Sequence, residues 1–476
     1  MAQKNSWEFY TESDLQEVEK LSSSYQDFLN RGKTERECVS YIEDWAEKHG
    51  FRKLSDRIAE RSPLKAGERL IATHMGKTAA LYIIGKNALE HGLNYVGAHI
   101  DSPRIDLKQN PVYEDMGMAY FDTHYYGGVK KYQWVTLPLA IHGVVALKDG
   151  SVVPVVIGEE EGDPVVGITD LLIHLSQEQM EKAAAKVIEG ESLDILIASR
   201  PSAKKDGEEA AKEPVKTYVL SLLKEKYGIE EDDFISAELE AVPAGKARDF
   251  GLDRSMIMAY GHDDRCCAYP ALYAMEQMLA DLDQGGDAPE KTCLAFFADK
   301  EEIGSVGATG SHSHFFENTV AELCALDDAA QKLPLELVIR RCLQNTCVLS
   351  ADVSSGFDPL YASAFAKNNC ARIGYGISIV KYTGARGKSS ANDANAEYLA
   401  QIRRILDAEH VNFQTSELGR VDLGGGGTIA YIIAAYGAQV VDCGIPVLSM
   451  HAPWEVISKA DLYEAYRAYL AFYKNM

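Results

Sequence analysis

Basic residues are what this chain is short of: 48 Lys and Arg stand against 71 Asp and Glu, a formal net charge of -23 over 476 residues. So negative a surface repels phosphate backbones and anionic headgroups, so neither nucleic acid nor membrane is expected as a partner. Long apolar runs are missing too, and none approaches the ~20 residues that cross a bilayer. The opening Met-Ala-Gln-Lys-Asn-Ser-Trp-Glu has no apolar core of the signal-peptide kind, so a cytoplasmic location is expected. The nine cysteines are odd in number and scattered, without paired zinc-finger spacing, and read as reduced core residues. Gly424-Gly-Gly-Gly427-Thr428 lacks the Lys-Ser/Thr of a phosphate loop and the spacing of a dinucleotide fingerprint. It reads instead as backbone lining a substrate pocket, where glycine lets a ligand approach the main chain.

What is present is an ordinary globular composition, 46% hydrophobic and 25% charged, long enough for two or three domains. Residues 11–50 carry apolar side chains at helical spacing (Leu15, Val18, Leu21, Tyr25, Phe28), and residues 66–101 switch to short apolar runs that predict strands. Between about 106 and 240 the pattern is of strands broken by turns such as Lys148-Asp-Gly150. Residues 201–233 are charge-rich and read as an exposed excursion or mobile loop. After 250, apolar helices alternate with short strands, which predicts an α/β fold: a mostly parallel sheet covered by helices. No ligand-type residue of the main set falls between Asp101 and Asp263. The expected organisation is therefore a catalytic domain of 1–105 plus 241–476, with a β-rich domain of 106–240 inserted.

Five segments carry the chemistry, each read as a short strand followed by a metal-type ligand. They are Tyr95-Val-Gly-Ala-His99-Ile-Asp101, Gly261-His-Asp263-Asp264-Arg265, Phe296-Phe-Ala-Asp-Lys-Glu301-Glu302, Val348-Leu-Ser-Ala-Asp352 and Val447-Leu-Ser-Met-His451. Open α/β sheets place their sites at the carboxyl ends of strands. Asp101, two residues past His99 on an extended chain, faces the same way and suits the role of orienting the imidazole. Two adjacent acids, Glu301 and Glu302, would repel if buried without cations; one as ligand and one as base resolves the conflict. Each segment alone has a plainer account, since Asp263 suits a helix cap and Glu301-Glu302 suit the first turn of a helix. The joint pattern favours a hydrolase site holding a pair of zinc-like ions. Which of Asp263 and Asp264 bridges them is open at this level. His262 reads as structural and His312-Ser-His314 as a solvated helix start.

Together Gly97-Ala-His-Ile-Asp-Ser-Pro-Arg104, Asp299-Lys-Glu-Glu-Ile-Gly-Ser305, Ser350-Ala-Asp352 and Met450-His451 resemble, in order and over the whole chain, the aspartyl and vacuolar aminopeptidase family of dizinc metallopeptidases. The resemblance implies a zinc aminopeptidase-like catalytic domain with an inserted dimerisation domain, and dimers that assemble into a tetrahedral homododecamer. It implies His99, Asp263, Glu302, Asp352 and His451 as metal ligands, with Asp263 the bridging carboxylate. Asp101 matches the orienting acid and Glu301 the general base. Lys381 matches a lysine near the substrate, and His174 a residue sent into a neighbouring subunit's site. The implied reaction removes the N-terminal residue of a peptide, with acidic residues preferred, through a water activated by two divalent ions. Zinc leads, and cobalt or manganese would suit the same ligands. A related dizinc deacylase or carboxypeptidase, or an inactive self-assembling shell, is the alternative.

Overall fold

A computed structural model describes residues 4–203, 211–328, 332–385, 387–389 and 391–476. By its internal contacts the chain forms two compact units. One takes the chain up to Asp101 together with Ala247–Met450 and Glu455–Met476; the other takes Ser102–Lys246 and His451–Trp454.

The first unit is built on a nine-stranded sheet in the order Arg52–Lys53, Arg69–His74, Thr78–Ile83, Thr292–Ala298, Leu93–His99, Cys347–Ser350, Gln439–Gly444, Ile377–Val380 and Phe413–Thr415. The four strands from Thr292–Ala298 to Gln439–Gly444 run parallel. Both faces are buried, which is why these strands read as unbroken apolar runs rather than as alternation. Successive side chains still point to opposite faces. Leu81, Val96, Ala98, Ala295 and Phe297 enter one core with Tyr25, Tyr269 and Tyr469 of the helices Glu12–Arg31, His262–Asp283 and Lys459–Asn475. Tyr82, Tyr95, Leu294 and Phe296 enter the other with Phe316, Val338 and Ile433. The first two helices begin where the sequence offers capping boxes, Thr11 with Asp14 and Thr34 with Glu37.

The second unit contains a six-stranded sheet whose neighbours are all antiparallel, in the order Val152–Ile157, Leu139–Ala146, Ala237–Pro243, Arg104–Asp115, Met118–Tyr126 and Ile195–Ala198. The expectation for 201–233 needs correcting. Pro214–Tyr227 is an α-helix, opened by Pro214 and closed by left-handed Gly228. Val215 and Val219, one turn apart, pack on Ala119 with Leu223 partly buried beside them, and this apolar stripe seats the helix. The stretch Lys204-Lys-Asp-Gly-Glu-Glu lies outside the described residues.

Candidate active site

Three neighbouring parallel strands bring the chemistry together. Leu93–His99 lies between Thr292–Ala298 and Cys347–Ser350, with His99 in register with Ala298. Their carboxyl ends therefore deliver His99, Asp299 to Glu302, and Asp352 to one edge of the sheet. Asp263 arrives differently from the sequence expectation. The strand before it, Met256–Ala259, belongs to a small three-stranded sheet, and Asp263 opens the helix His262–Asp283 with non-helical angles of φ -78° and ψ 107°. The segment before His451 is not a strand of the main sheet either. Only Pro446–Val447 is extended, pairing with Ser354–Ser355, and His451 sits in a turn at φ 64°. Apolar runs this short do not specify which sheet they join.

Within the first unit His99 is the hub. Its Nε2 lies 3.1 Å from Asp263 Oδ1 and 4.0 Å from Glu301 Oε2. Its Nδ1 faces Asp101, 3.0 Å from the carbonyl and 3.3 Å from Oδ1. Burial alone would depress the imidazole pKa, but hydrogen bonds with Asp101 and Asp263, and the nearby charges, hold it well above its ordinary value. The Asp101 carboxylate also accepts from two main-chain amides, Glu301 N at 3.1 Å and Glu302 N at 3.2 Å. It thus fixes the ring of His99 and the one-turn helix Glu301–Ile303 at once. That turn is anchored behind by Lys300, whose ammonium lies 2.6 Å from Asp299 Oδ2 and 2.7 Å from Thr309 Oγ1.

Donor atoms of His99, Asp263 and Glu302 lie within 4.8 Å of one another, and so do those of His99, Asp264 and Asp352. The two groups share His99 and between them draw on four carboxylates, Asp263, Asp264, Glu302 and Asp352. Burial raises the Asp352 and Asp264 carboxyl pKa values well above the ordinary range. The charges of Glu301 and Asp263 add to the effect at Asp352, and those of Cys267 and Asp352 add to it at Asp264. Like charges crowded in this way are what divalent cations neutralise, so the donor set fits the metal chemistry.

The family model described as Aminopeptidase I zinc metalloprotease (M18) matches residues 28–473. The chain belongs to this family. It is 54% identical to the "Probable M18 family aminopeptidase 1" of Clostridium acetobutylicum over 472 residues, 99% of this chain and 98% of that one. The crystal structure of an M18 aminopeptidase from Thermotoga maritima superposes over the whole of both chains, at 42% identity and a TM-score of 0.91. A structure of the S. cerevisiae mApe1 dodecamer shares the fold, with a TM-score of 0.75 at 20% identity over 95% of this chain and 96% of that one. As an M18 aminopeptidase the protein is a zinc metallopeptidase and a hydrolase. Among the described residues, no helix is long and apolar enough to cross a membrane.

The remaining candidates of this aminopeptidase are Lys381 in the first unit and His451 and His174 in the second. Lys381 follows the strand Ile377–Val380, exposed, its carbonyl accepting from Ala394 N at 2.7 Å. In the second unit, His451 Nδ1 lies 3.0 Å from the Gly128 carbonyl, which leaves Nε2 as the nitrogen with a lone pair. Also in that unit, His174 is exposed on the turn Ile173–Leu175. Gly424 and Gly425 have a packing role: a Cβ on either would meet the main chain of Leu418 at 1.7 Å or Ala385 at 2.5 Å. His312 meets Tyr431 Oη at 2.9 Å, and His314 is the exposed residue before the helix Phe315–Leu326.

Sequence reasoning missed three supports. Asp264 Oδ2 accepts the main-chain amide of His99 at 3.2 Å, and Glu455 Oε2 that of Asp263 at 3.0 Å. Arg265 donates to the carbonyls of Ile100 and Lys33. The only sequence signal for Glu455 was its place four residues after His451. His262 is a core histidine between Tyr25 Oη at 2.7 Å and the Ile257 carbonyl at 3.1 Å, its pKa pushed down to about 3 by burial.

Proposed function

We propose that this aminopeptidase removes the N-terminal residue of peptides at a two-metal site in which His99, Asp263, Glu302, Asp352 and His451 are the ligands and Glu301 is the general base. The observation that carries the reading is the convergence of His99, Glu301, Glu302 and Asp352 at the carboxyl ends of three adjacent strands, with Asp263 brought to His99 by the start of the helix His262–Asp283. Asp263 is the bridging carboxylate in this reading. Its Oδ1 faces His99 Nε2, whereas one oxygen of Asp264 is taken by the His99 main-chain amide. Two divalent ions, zinc first and cobalt or manganese as substitutes, would supply an acidified water and charge stabilisation for the oxyanion. Asp101 holds the His99 ring and, through the two amides, aims Glu301. Glu301 takes the proton of the attacking water and returns it to the leaving amine. The surrounding carboxylates favour a free α-ammonium group, which confines the reaction to chain ends.

Three finer features belong to the same reading. An acidic N-terminal residue is preferred, paired with the ammonium of Lys381, which makes no ion pair among the described residues. Residues 106–240 form an inserted dimerisation domain, and the dimers build a tetrahedral dodecamer in which His174 reaches a neighbouring active site. Support comes from the dodecameric yeast protein that shares the fold and from the exposed run Leu171, Leu172, Ile173 and Leu175 around His174. A cytoplasmic location agrees with nine free cysteines.

The deciding experiment is turnover of aspartyl-, glutamyl- and leucyl-capped chromogenic substrates, before and after chelation and metal add-back, with N-acetylated versions as controls. Metal-restored release from the acidic substrates, and none from the acetylated ones, is expected. Metal-restored release from leucyl alone would discard the acidic preference. Release from acetylated substrates would replace the aminopeptidase reading by a deacylase.

A further inference from the structure

Glu455 is a buried acid, 1% exposed, at the start of the strand Glu455–Ser458. Its strand runs antiparallel to Met256–Ala259, with Glu455 opposite Ala259. From Ala259 the chain turns through Gly261, left-handed at φ 75°, into His262 and Asp263. Because Asp263 is not yet helical, its amide N–H has no carbonyl of a preceding turn to donate to. Glu455 Oε2, reaching across from the neighbouring strand, accepts that N–H at 3.0 Å. The flanking residues are tethered as well, His262 by Tyr25 and the Ile257 carbonyl, and Asp264 by the His99 amide. At Asp263 itself, the peptide that carries the carboxylate is held from behind by Glu455.

We propose that Glu455 is a positioning residue that aims the Asp263 carboxylate between the two metal positions, acting through the reach of its side chain to the Asp263 amide. The proposal rests on the two-metal reading of Asp263. Supports of this kind, which touch a ligand rather than the metal, typically change metal affinity or activity 10–100-fold when removed. Two conservative variants separate reach from charge. Glu455→Gln keeps an oxygen at the same distance and loses the charge. Glu455→Asp keeps the charge and withdraws the oxygen by one methylene.

The test uses Co2+ as probe on the full chain, with affinity read by calorimetry and ligand geometry by the visible absorption spectrum, beside kcat and the melting temperature of the chelated protein. Glu455→Asp should weaken Co2+ binding and kcat about 10–100-fold and shift the absorption bands, with KM little changed. Glu455→Gln should match the wild type in all four. A wild-type spectrum and affinity in Glu455→Asp, even with a lowered melting temperature, would leave Glu455 a purely structural acid and overturn the proposal. Equal damage in both variants would assign the effect to charge and overturn it too. If the wild type itself binds no Co2+, the two-metal reading fails first and takes this proposal with it.

Discussion

The main-chain carbonyl oxygen of Asp352 lies 1.8 Å from the point where a Cβ on Gly444 would sit, and its carbonyl carbon 2.5 Å. Gly444 closes the strand Gln439–Gly444, which pairs in parallel with the strand leading to Asp352. No side chain fits there unless the backbone of Asp352 moves, and the atoms in the way are main chain rather than a rotamer that could swing aside. Gly444→Ala is therefore expected to displace Asp352 and cost about 1–3 kcal/mol of stability, the usual penalty for overpacking. Bound metal per chain, measured by elemental analysis on protein that still melts cooperatively, should fall below the wild-type value. Unchanged stoichiometry and activity would show that the Asp352 backbone yields without consequence.

How much of this was readable beforehand depends on whether the information is local. His99 and Asp352 stood out because four or more apolar or small residues precede each, and a strand between two buried faces cannot look otherwise. The alternation of helix and strand after residue 250 gave the parallel sheet for the same reason. The role of Gly444 was invisible, since it depends on which strand lies alongside, a fact fixed by pairing some ninety residues away in the chain. Glu455 was hidden likewise: its partner, Asp263, is 192 residues distant. The Pro214–Tyr227 helix was missed because the charged runs on either side, Lys204-Lys-Asp-Gly-Glu-Glu and Glu230-Glu-Asp-Asp, dominate the composition of 201–233 and mask the apolar positions within it.

Asp101 spends both carboxylate oxygens on the amides of Glu301 and Glu302. An asparagine there offers one acceptor, and its NH2 group would face the second amide donor to donor. Asp101→Asn should leave the fold intact by circular dichroism and lower kcat roughly 10–100-fold, as loss of an orienting partner does. An undiminished kcat would remove Asp101 from the machinery.

Asp442 supplies a pH dependence. It is 1% exposed, accepts from Thr428 Oγ1 at 2.7 Å, and has its pKa raised by burial from 3.8 to about 6. The folded state therefore holds this proton more tightly than the unfolded chain does. Its contribution to stability is complete below the unfolded value and is lost as pH rises through about 6. Asp442→Asn, which cannot ionise, should be more stable than the wild type at about pH 8, by up to roughly 3 kcal/mol, and near equal to it at about pH 4. Thermal melts of the chelated protein at the two pH values check this; a variant less stable at both would mean that the charged form is the better partner for Thr428.

The proposed preference for acidic residues rests on Lys381. In a chain of net charge -23, an exposed ammonium with no ion pair among the described residues is available to a carboxylate on the substrate. A charged hydrogen bond of this kind contributes about 1.5–3 kcal/mol. Lys381→Met keeps the length and apolar stem and deletes the charge. It should therefore lower kcat/KM on aspartyl and glutamyl substrates roughly 10–100-fold while leaving leucyl substrates near the wild-type value. The ratio of the two, rather than either rate, is the measurement, because damage to the metal site would depress both together. Equal losses would place Lys381 outside the substrate pocket, and any acidic preference would then have to come from another cation.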